Sequence, residues 1–315
     1  MILSSVAAPV LSVVIPTCHR NGDLIRCLEA LRAQQPLMLD SNKSSNARSS
    51  HKTDFSYEFI VTDDGTQSTA AAVIRDAFPG VKWVQGPRRG PAANRNFGAS
   101  KAVGKWLLFL DDDCLPSSNW LAAYGLAILT FPQCGVLEGR TIASGPRTRA
   151  DQECPLNLKG GLLWSCNFGI RRDLFFQIGG FDEQFPAPAL EDMDLKRRLD
   201  QAGHVIRFLV DACVEHPWRP RRGARFCISV AQSVLYFTIK HAEVRPIFVK
   251  TWGIKRIIKI ISFEFPRNLF RYRNLSSFRL LYLDLLTAVH ISLALTKQRL
   301  GVARKLSSRP SVGAA

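Results

Sequence analysis

The segment KWLLFLDDDCLPSSNW, residues 105–120, decides the fold of this chain. Its residues 106–110 are all apolar, a run of the length and composition typical of a strand buried on both faces. Asp111, Asp112 and Asp113 follow that strand directly. Adjacent carboxylates repel each other and lose solvation beside a buried strand, so they need a cation or strong hydrogen-bond donors. Carboxylates on a loop suit Mg²⁺ or Mn²⁺, whose coordination a substrate phosphate completes; a solvated acidic turn is the alternative.

Strands and helices alternate on both sides of this segment. Apolar, β-branched runs indicate the strands, and apolar residues at helical spacing indicate the helices between them. The alternation predicts an α/β fold with a mostly parallel central sheet and helices on both faces. The predicted strands are residues 10–15, 59–62, 81–85, 105–110, 162–170 and 205–210, and the predicted helices are residues 21–35, 68–78, 92–102, 171–178 and 190–203.

Polar residues follow several of these strands at one edge of the predicted sheet. Asp63 and Asp64 end the second strand, as the acidic triplet ends the fourth. Thr17 follows the first strand, and Arg88 lies in the basic, Gly-rich turn after the third. Ligands of parallel sheets bind at the carboxyl ends of the strands. We therefore expect one cleft that contains metal ligands, nucleotide-binding groups and basic partners for phosphate.

A further acidic group opens the helix LEDMDLKRRLDQAG, residues 190–203. At 100° per residue, Leu195 and Leu199 define its buried stripe, Glu191 and Asp192 flank that stripe, and Asp194 faces away. The arginines three and four positions later can pair with Asp194 at the surface. A single acid suffices to cap a helix N-terminus, an effect of about 0.3–1 kcal/mol. Two inward acids exceed that need and indicate a functional role.

The histidines and cysteines of the sequence bear on which kind of metal site the chain can form. His216, just past the strand at 205–210, is a candidate ligand of the acidic triplet's cation, or a satisfied polar residue with no such role. The eight cysteines are scattered, with no C-x-x-C pair and no clustered histidines of the kind that bind zinc. The N-terminus lacks the basic region that opens a signal peptide. We interpret the cysteines as free thiols in a reducing cytoplasm.

The charge lies almost entirely in the C-terminal part of the chain. Residues 217–315 contain 19 Lys and Arg against 3 Asp and Glu, whereas residues 1–216 contain 23 of each. Apolar side chains recur among these cations at helical spacing, which predicts a basic, mostly helical extension. Such helices can lie in an anionic membrane interface, at about 1 kcal/mol per cation. The alternative is that they pack as ordinary helices with solvated charges; nucleic-acid binding is disfavoured because no known module is present.

Six segments, in order, resemble the family 2 glycosyltransferases of the GT-A fold. The resemblance covers residues 10–216 and predicts a GT-A domain, a three-layer sandwich, over residues 1–216, followed by the extension at 217–315. Residues 36–54, rich in Ser, Asn, Lys and Arg, match nothing in the family and are predicted to be a mobile surface insertion. The matching segments are SVVIPTCHR (12–20), IVTDDGT (60–66), GPAANRNFGAS (90–100), LLFLDDDCLPSSNWL (107–121), SCNFGIRRDLFFQIGGFDEQF (165–185) and ALEDMDLKRRL (189–199).

The resemblance implies transfer of a sugar from a nucleotide-diphosphate donor to a saccharide or lipid-linked acceptor, usually with inversion. Asp192, in the pair with Glu191, matches the general base. Asp111 and Asp113 match the DXD pair that meets Mg²⁺ or Mn²⁺ and the donor, with His216 as a further candidate ligand. The residues expected to bind the nucleotide and donor are Thr17, Arg20, Asp63, Asp64, Arg88, Arg95, Asp111 and Asp112. We expect Asp112 to be the most replaceable of the triplet.

Three other functions compete with this interpretation. A phosphatase of the haloacid dehalogenase type also places an Asp-x-Asp pair after a strand, but after its first strand and before Thr or Val, whereas Cys114 follows here. A nucleotidyltransferase would open with a Gly-rich loop and a catalytic Lys, which residues 10–20 lack. A catalytically silent, membrane-associated scaffold is the third alternative. The family does not fix the sugar, the acceptor or the role in cell-surface polysaccharide or glycolipid synthesis.

Overall fold

A computed structural model of the protein describes residues 11–34, 56–67, 69–252 and 254–299. The predicted insertion at 36–54 lies outside the described residues. The described chain divides into two compact units. The first comprises residues up to Pro146 together with Cys154–Glu183 and Glu191–Trp218, and the second comprises Arg147–Glu153, Gln184–Leu190 and the residues from Arg219 onward. The boundary predicted at residues 216 and 217 for independent domains stays a prediction.

Strands and helices alternate through the first two thirds of the chain, and helices follow. The strands are β1 (Leu11–Thr17), β2 (Tyr57–Asp63), β3 (Val81–Gln85), β4 (Trp106–Leu110), β5 (Leu115–Pro116), β6 (Val136–Ser144), β7 (Gln152–Glu153), β8 (Asn167–Arg171), β9 (Ile206–Pro217) and β10 (Arg219–Pro220). The helices are α1 (Asn21–Arg32), α2 (Ala71–Ala77), α3 (Pro91–Lys101), α4 (Trp120–Thr130), α5 (Arg172–Gln177), α6 (Glu191–Gln201), α7 (Ala224–Lys240), α8 (Arg245–Trp252), α9 (Ile254–Lys259), α10 (Phe265–Tyr272) and α11 (Ser276–Arg299).

The first unit contains an eight-stranded sheet in the order β3-β2-β1-β4-β8-β6-β9-β5. The pairs β1–β2, β1–β4, β2–β3 and β6–β9 are parallel, whereas β4–β8, β6–β8 and β5–β9 are antiparallel. Every residue of β4 is buried. Leu108 and Leu110 enter one apolar cluster, and Leu107 and Phe109 enter another. The prediction of an α/β fold with a mostly parallel sheet and a doubly buried fourth strand is confirmed.

Two of the predicted strands differ from the observed ranges by more than two residues at one end. The strand predicted at 162–170 begins only at Asn167, because the backbone N–H groups of residues 161–163 bind the side chain of Glu138 and not a neighbouring strand. The strand predicted at 205–210 continues to Pro217 as β9 and pairs with β6 across a register shift after Gly139. This extension carries His216 to the end of the strand.

The second unit is mostly helical, and β7 and β10 form a separate two-stranded ribbon within it. A 3₁₀ turn (Ala242–Val244) precedes α8, and a π-helical turn (Ile260–Glu264) separates α9 from α10. Among the described helices, one segment, Ser276–Gln298, is long and apolar enough to cross a membrane, with 28% of its most apolar window buried. Length and composition alone are weak evidence of a span, since core helices pass the same test.

Candidate active site

Asp63 and Asp64 are fixed at the end of β2 by backbone donors. Asp63 is 1% exposed and accepts hydrogen bonds from the N–H groups of Gly65 (2.8 Å) and Ala70 (2.6 Å). Asp64 accepts from the backbone N–H of Arg88 at 2.9 Å. Burial raises the pKa of Asp64, and this hydrogen bond opposes the rise. The guanidinium of Arg88 itself is exposed beside the turn.

Asp112 joins β1 to β4. Its carboxylate accepts a hydrogen bond from the Thr17 hydroxyl at 2.7 Å and pairs with Arg20 at 2.7 Å. Arg20 also reaches Asp113, at 2.9 Å. Asp112 is fully buried, and that burial raises its pKa to about 7 although Arg20 and Thr17 lower it. These contacts argue against the expectation that Asp112 is the most replaceable of the three acids.

Arg95 lies between the acidic triplet and the acids of α6. Its guanidinium is 5% exposed; it donates to Asp111 at 2.6 Å and lies 3.7 Å from Glu191. The Phe181 ring lies 5.7 Å from its central carbon. Burial opposes the ionisation of Asp111, but the charge and hydrogen bond of Arg95 outweigh it and lower the pKa of Asp111. Sequence reasoning assigned Arg95 to the nucleotide; in the structure its contacts are to carboxylates of its own unit.

Asp113 and His216 come together at the ends of β4 and β9. The His216 Nε2 atom lies 3.4 Å from Asp113 Oδ1, and both residues are buried. His216 Nδ1 lies 2.8 Å from the Pro217 carbonyl, which can only accept, so Nδ1 carries a proton and Nε2 is the ring nitrogen that faces Asp113. In a neutral imidazole the Nε2 lone pair would face a carboxylate oxygen, and a bound cation would remove the resulting repulsion. The pair therefore fits a divalent cation, with the tautomer fixed as metal-ligating histidines require.

Cys114 completes this group, and sequence reasoning did not place it there. Its Sγ lies within 4.8 Å of the ligand atoms of Asp113 and His216. Cys114 is fully buried, and burial together with a hydrogen bond to Cys166 raises its thiol pKa. A neutral thiol is a weak ligand for a hard cation, so Asp113 and His216 are the better candidates. Pairing of β5 with β9 explains the proximity, a contact that no local pattern reveals.

Glu191 and Asp192 begin α6 on the same side of the first unit. Glu191 is 5% exposed, and burial, helped by the nearby charge of Asp192, raises its pKa to about 7. Asp192 is partly exposed; burial raises its pKa, while the backbone N–H groups of Met193 (2.8 Å) and Ser165 oppose the rise. A partly exposed carboxylate with a raised pKa can accept a proton from a bound hydroxyl.

The third acid of α6 differs from its prediction. Asp194 does pair with Arg198, at 2.8 Å, but Asp194 is 0% exposed and not at the surface. Arg198 also donates to the carbonyls of Ile178 and Gly180, both at 2.6 Å. The pair therefore fastens the start of α6 to the turn after α5, which holds the neighbouring Glu191 and Asp192 in place.

Comparisons with known proteins agree with this geometry. Residues 12–176 match the sequence model of the family described as Glycosyl transferase family 2. Glycosyltransferase AglE of Haloferax volcanii is 24% identical over 226 residues, which are 67% of this chain and 68% of that protein. An uncharacterized glycosyltransferase of Haemophilus influenzae is 29% identical over 61% of this chain and 62% of its own length. The pre-mycofactocin glycosyltransferase of Mycobacterium tuberculosis is 29% identical over 51% of this chain, which spans only 37% of that relative.

Solved structures share the fold. Residues 1–349 of TarS from S. aureus superpose with a TM-score of 0.55 at 14% identity, covering 92% of this chain and 91% of TarS 1–349. The mannosyltransferase PcManGT from Pyrobaculum calidifontis, solved with GDP-Man and Mn²⁺, gives a TM-score of 0.51 at 17% identity, covering 97% of this chain and 77% of that one. At such identities the likeness shows the fold alone. Since the family match spans more than half of the sequence, the chain belongs to glycosyl transferase family 2 and is a glycosyltransferase with a GT-A fold.

Proposed function

We propose that the first unit catalyses inverting, metal-dependent transfer of a sugar from a nucleotide-diphosphate donor to an acceptor hydroxyl. The observation that carries the proposal is Arg95, which joins Asp111 of the acidic triplet to Glu191 beside Asp192. Asp111, which is assigned to the donor's diphosphate, and the acid pair that contains the candidate base are thereby held in one network around the buried Arg95. Inversion needs a base on the face of the sugar opposite the leaving group, and Asp192 is the candidate.

In the proposed reaction the acceptor oxygen forms a bond to the anomeric carbon as the bond from that carbon to the diphosphate oxygen breaks. Asp192 takes the acceptor proton, and the nucleoside diphosphate leaves with the bonding electron pair. A divalent cation, when bound, neutralises charge on the leaving diphosphate. Asp113 and His216 would hold that cation, and Mg²⁺ and Mn²⁺ both suit an oxygen-rich set with one imidazole. Arg20, 43% exposed in its side chain, remains able to meet phosphate oxygens.

The nucleotide would lie against the ends of β1 to β3. The family resemblance assigns Thr17, Asp63 and Asp64 to the base and ribose, and the position of Arg88 in the basic turn after β3 makes it a candidate partner of the phosphates. The neighbouring structures were solved with UDP-GlcNAc, for TarS, and with GDP-Man, for PcManGT. Uridine and guanosine diphospho-sugars are therefore the donor classes to try first.

Donor binding tests the proposal without knowledge of the acceptor. The full chain is mixed with Mn²⁺ or Mg²⁺ and a panel of UDP- and GDP-sugars, and its melting temperature is measured. A ligand that binds only the folded state stabilises it by about 2.7 kcal/mol at one hundred times its Kd. We expect one donor to stabilise the protein only when the metal is present. Stabilisation by no donor would favour the catalytically silent scaffold; the phosphatase alternative is already excluded by the family match.

We further propose that the second unit binds an anionic membrane surface on the cytoplasmic side, where a lipid-linked acceptor would be available. Its helices expose large apolar side chains among cations, and the two together complement an anionic bilayer. Phe270 of α10 is 76% exposed, and Leu275, in the turn between α10 and α11, is 83% exposed. The other exposed apolar side chains of this set are Ile247, Ile258, Ile261 and Phe263.

Sedimentation with vesicles tests this surface. We expect the protein to bind phosphatidylglycerol-containing vesicles at low salt, more weakly at high salt, and not to bind pure phosphatidylcholine. The double variant Phe270→Ser with Leu275→Ser should lose most of the binding. Val205→Ser removes an equally exposed apolar side chain (70%) from the first unit and serves as the control. Equal binding by the double variant and the wild type would exclude this surface.

A further inference from the structure

The second unit contains a cavity to which the proposals above assign no ligand. It measures about 470 Å³, within the range of about 300–1,000 Å³ that is typical of small-molecule sites. Its lining residues all belong to the second unit: Arg149, Asn274, Leu275, Ser276 and Arg279. Two of these five residues are arginines and none is acidic, so the lining favours an anionic ligand.

One buried carboxylate holds both arginines in place. Asp151 is 0% exposed and accepts hydrogen bonds from Nε and Nη2 of Arg149, both at 2.9 Å. It also accepts from Nη1 of Arg279, at 2.6 Å. The Nη2 group of Arg279 donates in turn to the Arg221 carbonyl at 2.6 Å. The wall of the cavity is therefore preorganised, which lowers the cost of ordering it around a ligand.

Both arginines keep donors that Asp151 does not use. A guanidinium has five N–H donors, and Asp151 takes only the Nε–Nη2 edge of Arg149. The Nη1 group of Arg149 has no hydrogen-bond partner among the described residues, and the same is true there of Nε of Arg279. The two side chains are 50% and 38% exposed. Two guanidinium groups against one carboxylate leave a positive charge and unused donors for an oxyanion.

The start of α11 adds to this positive potential. Asn274 and Ser276 line the cavity at the N-terminus of α11, a helix of 24 residues. The backbone N–H of Ala150 donates to the Ser276 hydroxyl at 2.9 Å, so the segment that carries Arg149 is fixed to this helix end. A helix N-terminus carries a partial positive charge that favours anions. The arginines and the helix end therefore favour the same ligand, a phosphate group, whose oxygens accept from several donors at once.

Apolar side chains at the cavity distinguish a lipid phosphate from a soluble one. Leu275 lines the cavity and is 83% exposed, and Phe270, which is 76% exposed, lies on α10, the helix that ends three residues before Leu275. A soluble phosphate compound would leave these side chains in water, whereas a membrane lipid brings acyl chains to them beside its phosphate. Exposed apolar and cationic side chains together are typical of surfaces that lie in an anionic membrane interface.

We propose that this cavity binds the phosphate group of an anionic membrane lipid, with Arg149 and Arg279 as donors to the phosphate oxygens. The inference rests on the proposed binding of the second unit to an anionic membrane, and it adds a headgroup site to that surface. General attraction does not distinguish lipids at equal surface potential, whereas a phosphate site does. A phosphomonoester presents three free oxygens and a phosphodiester two. We therefore expect phosphatidic acid vesicles to bind about tenfold more tightly than phosphatidylglycerol vesicles of matched surface potential.

Vesicle sedimentation of the full chain tests this preference. Arg149→Gln removes one of the two cationic donors while Arg279 still pairs with Asp151, so we expect most of the preference for phosphatidic acid to disappear. Arg267→Gln is the matched control, because Arg267 is an exposed cation of α10 outside the cavity lining, and its loss should weaken binding to both vesicles equally. Melting temperatures check that both variants are folded. Equal binding of the two vesicles by the wild type, or an unchanged preference in Arg149→Gln, would overturn the proposal.

Arginine footprinting of the wild-type chain tests the site without a variant or a vesicle. Hydroxyphenylglyoxal modifies accessible guanidinium groups, and peptide mass spectrometry gives its rate at Arg149, with Arg75, 73% exposed in the first unit, as the reference. We expect monomeric dihexanoyl phosphatidic acid to slow modification of Arg149 several-fold and to leave Arg75 unchanged, while inorganic phosphate at the same concentration protects little. Equal protection by inorganic phosphate would overturn the lipid assignment, and protection by neither would overturn the site. Protection by the short-chain lipid in a chain that binds no vesicle would refute the proposed membrane surface and leave the phosphate site standing.

Discussion

Two acidic groups of the first unit are built from the same residue type and differ in their partners. The metal-side group, Asp111 to Asp113, is contacted by the guanidinium groups of Arg95 and Arg20 and by the imidazole of His216. The base-side pair, Glu191 and Asp192, shares one distant contact with Arg95 at 3.7 Å and otherwise accepts backbone N–H groups.

Because their partners differ, the pKa values of Asp111 and of the base-side pair shift in opposite directions. Arg95 lowers the pKa of Asp111, so that carboxylate stays ionised for cation or phosphate chemistry. With less compensation, burial raises the pKa values of Glu191 and Asp192, which suits proton acceptance near neutral pH. Environment thus gives one chemical group two protonation behaviours, which are those that the proposed roles of cation binding and proton acceptance require. Asp112 is the exception: it belongs to the metal-side group but has a raised pKa of about 7, since its burial is complete.

The largest effect should follow removal of the base. Asp192→Asn keeps the size and most hydrogen bonds of the side chain but cannot take a proton, so we expect kcat to fall by about 10² to 10⁴. Donor-dependent stabilisation should persist, since the metal-side group is untouched. Steady-state kinetics of sugar transfer measure kcat, and the melting temperature with and without donor measures the stabilisation. Asp200→Asn, on an exposed face of the same helix, is the control, and near wild-type turnover by Asp192→Asn would remove Asp192 from the role.

The alternation of strands and helices along the chain, and the positions of the two acidic groups on it, were predictable from the sequence because both depend on local pattern. An unbroken apolar run marks β4, and acids immediately after a strand must lie at the edge of the sheet. Likewise, helical spacing placed Glu191 inward. The sequence pattern gave wrong predictions where a residue is buried by a segment that is distant in the sequence. Asp194 was assigned to the surface by its angle on the helix, yet the turn around Gly180 covers it.

Contacts between residues far apart in the sequence could not be predicted, for a physical reason. Arg95 lies on α3, 16 positions before Asp111 and nearly one hundred before Glu191, so no spacing rule connects the three. A basic residue near a nucleotide site is expected to meet phosphate, and only tertiary packing reveals that carboxylates already surround it. The truncated strand at Asn167 has the same origin, since the acceptor Glu138 lies on another strand.

The second prediction concerns pH and stability. The folded state holds a proton on Glu191 up to about pH 7, whereas the unfolded chain releases it near 4.5, so the unfolded state binds fewer protons between these values. Stability therefore falls as pH rises through that window, by up to about 3 kcal/mol at 1.36 kcal/mol per unit. Glu191→Gln cannot titrate and should flatten this slope, becoming more stable than the wild type at pH 8 relative to pH 5.

Denaturant unfolding of both proteins at the two pH values gives the difference, in which the titration of groups that do not interact with Glu191 cancels; the neighbouring Asp192 contributes to what remains. Glu183→Gln, an exposed acid of the same unit paired with Arg89, is the matched control and should shift the slope little. A wild-type slope that Glu191→Gln leaves unchanged would mean that the base-side pair is ionised throughout, and the contrast with the metal-side group would disappear.

Replacement of Arg95 tests the link between the metal-side group and the base-side pair. Arg95→Lys keeps the charge but loses the planar fork that reaches Asp111 and faces Glu191. Loss of a buried, charge-assisted hydrogen bond should lower the free energy of unfolding by about 1.5–3 kcal/mol. The exposed pair of Arg89 with Glu183 provides the comparison, because Arg89→Lys should change stability by less than about 1 kcal/mol. Equal effects of the two lysine variants would show that Arg95 does not hold the groups together.

The fourth prediction concerns metal affinity alone. Asp113 Oδ1 and His216 Nε2 lie 3.4 Å apart, and removal of either should weaken Mn²⁺ binding by at least about tenfold, or about 1.4 kcal/mol. Titration of the melting temperature with Mn²⁺, without donor, measures this for Asp113→Asn and His216→Ala. The control is Glu215→Gln. Glu215 is an exposed acid next to His216, so its replacement removes one negative charge, as Asp113→Asn does, but removes no candidate metal ligand. If Glu215→Gln weakened Mn²⁺ as much as Asp113→Asn, the metal would be attracted by general negative charge and not by these two ligands. The distinction between the metal-side group and the base-side pair would then rest on their pKa values alone.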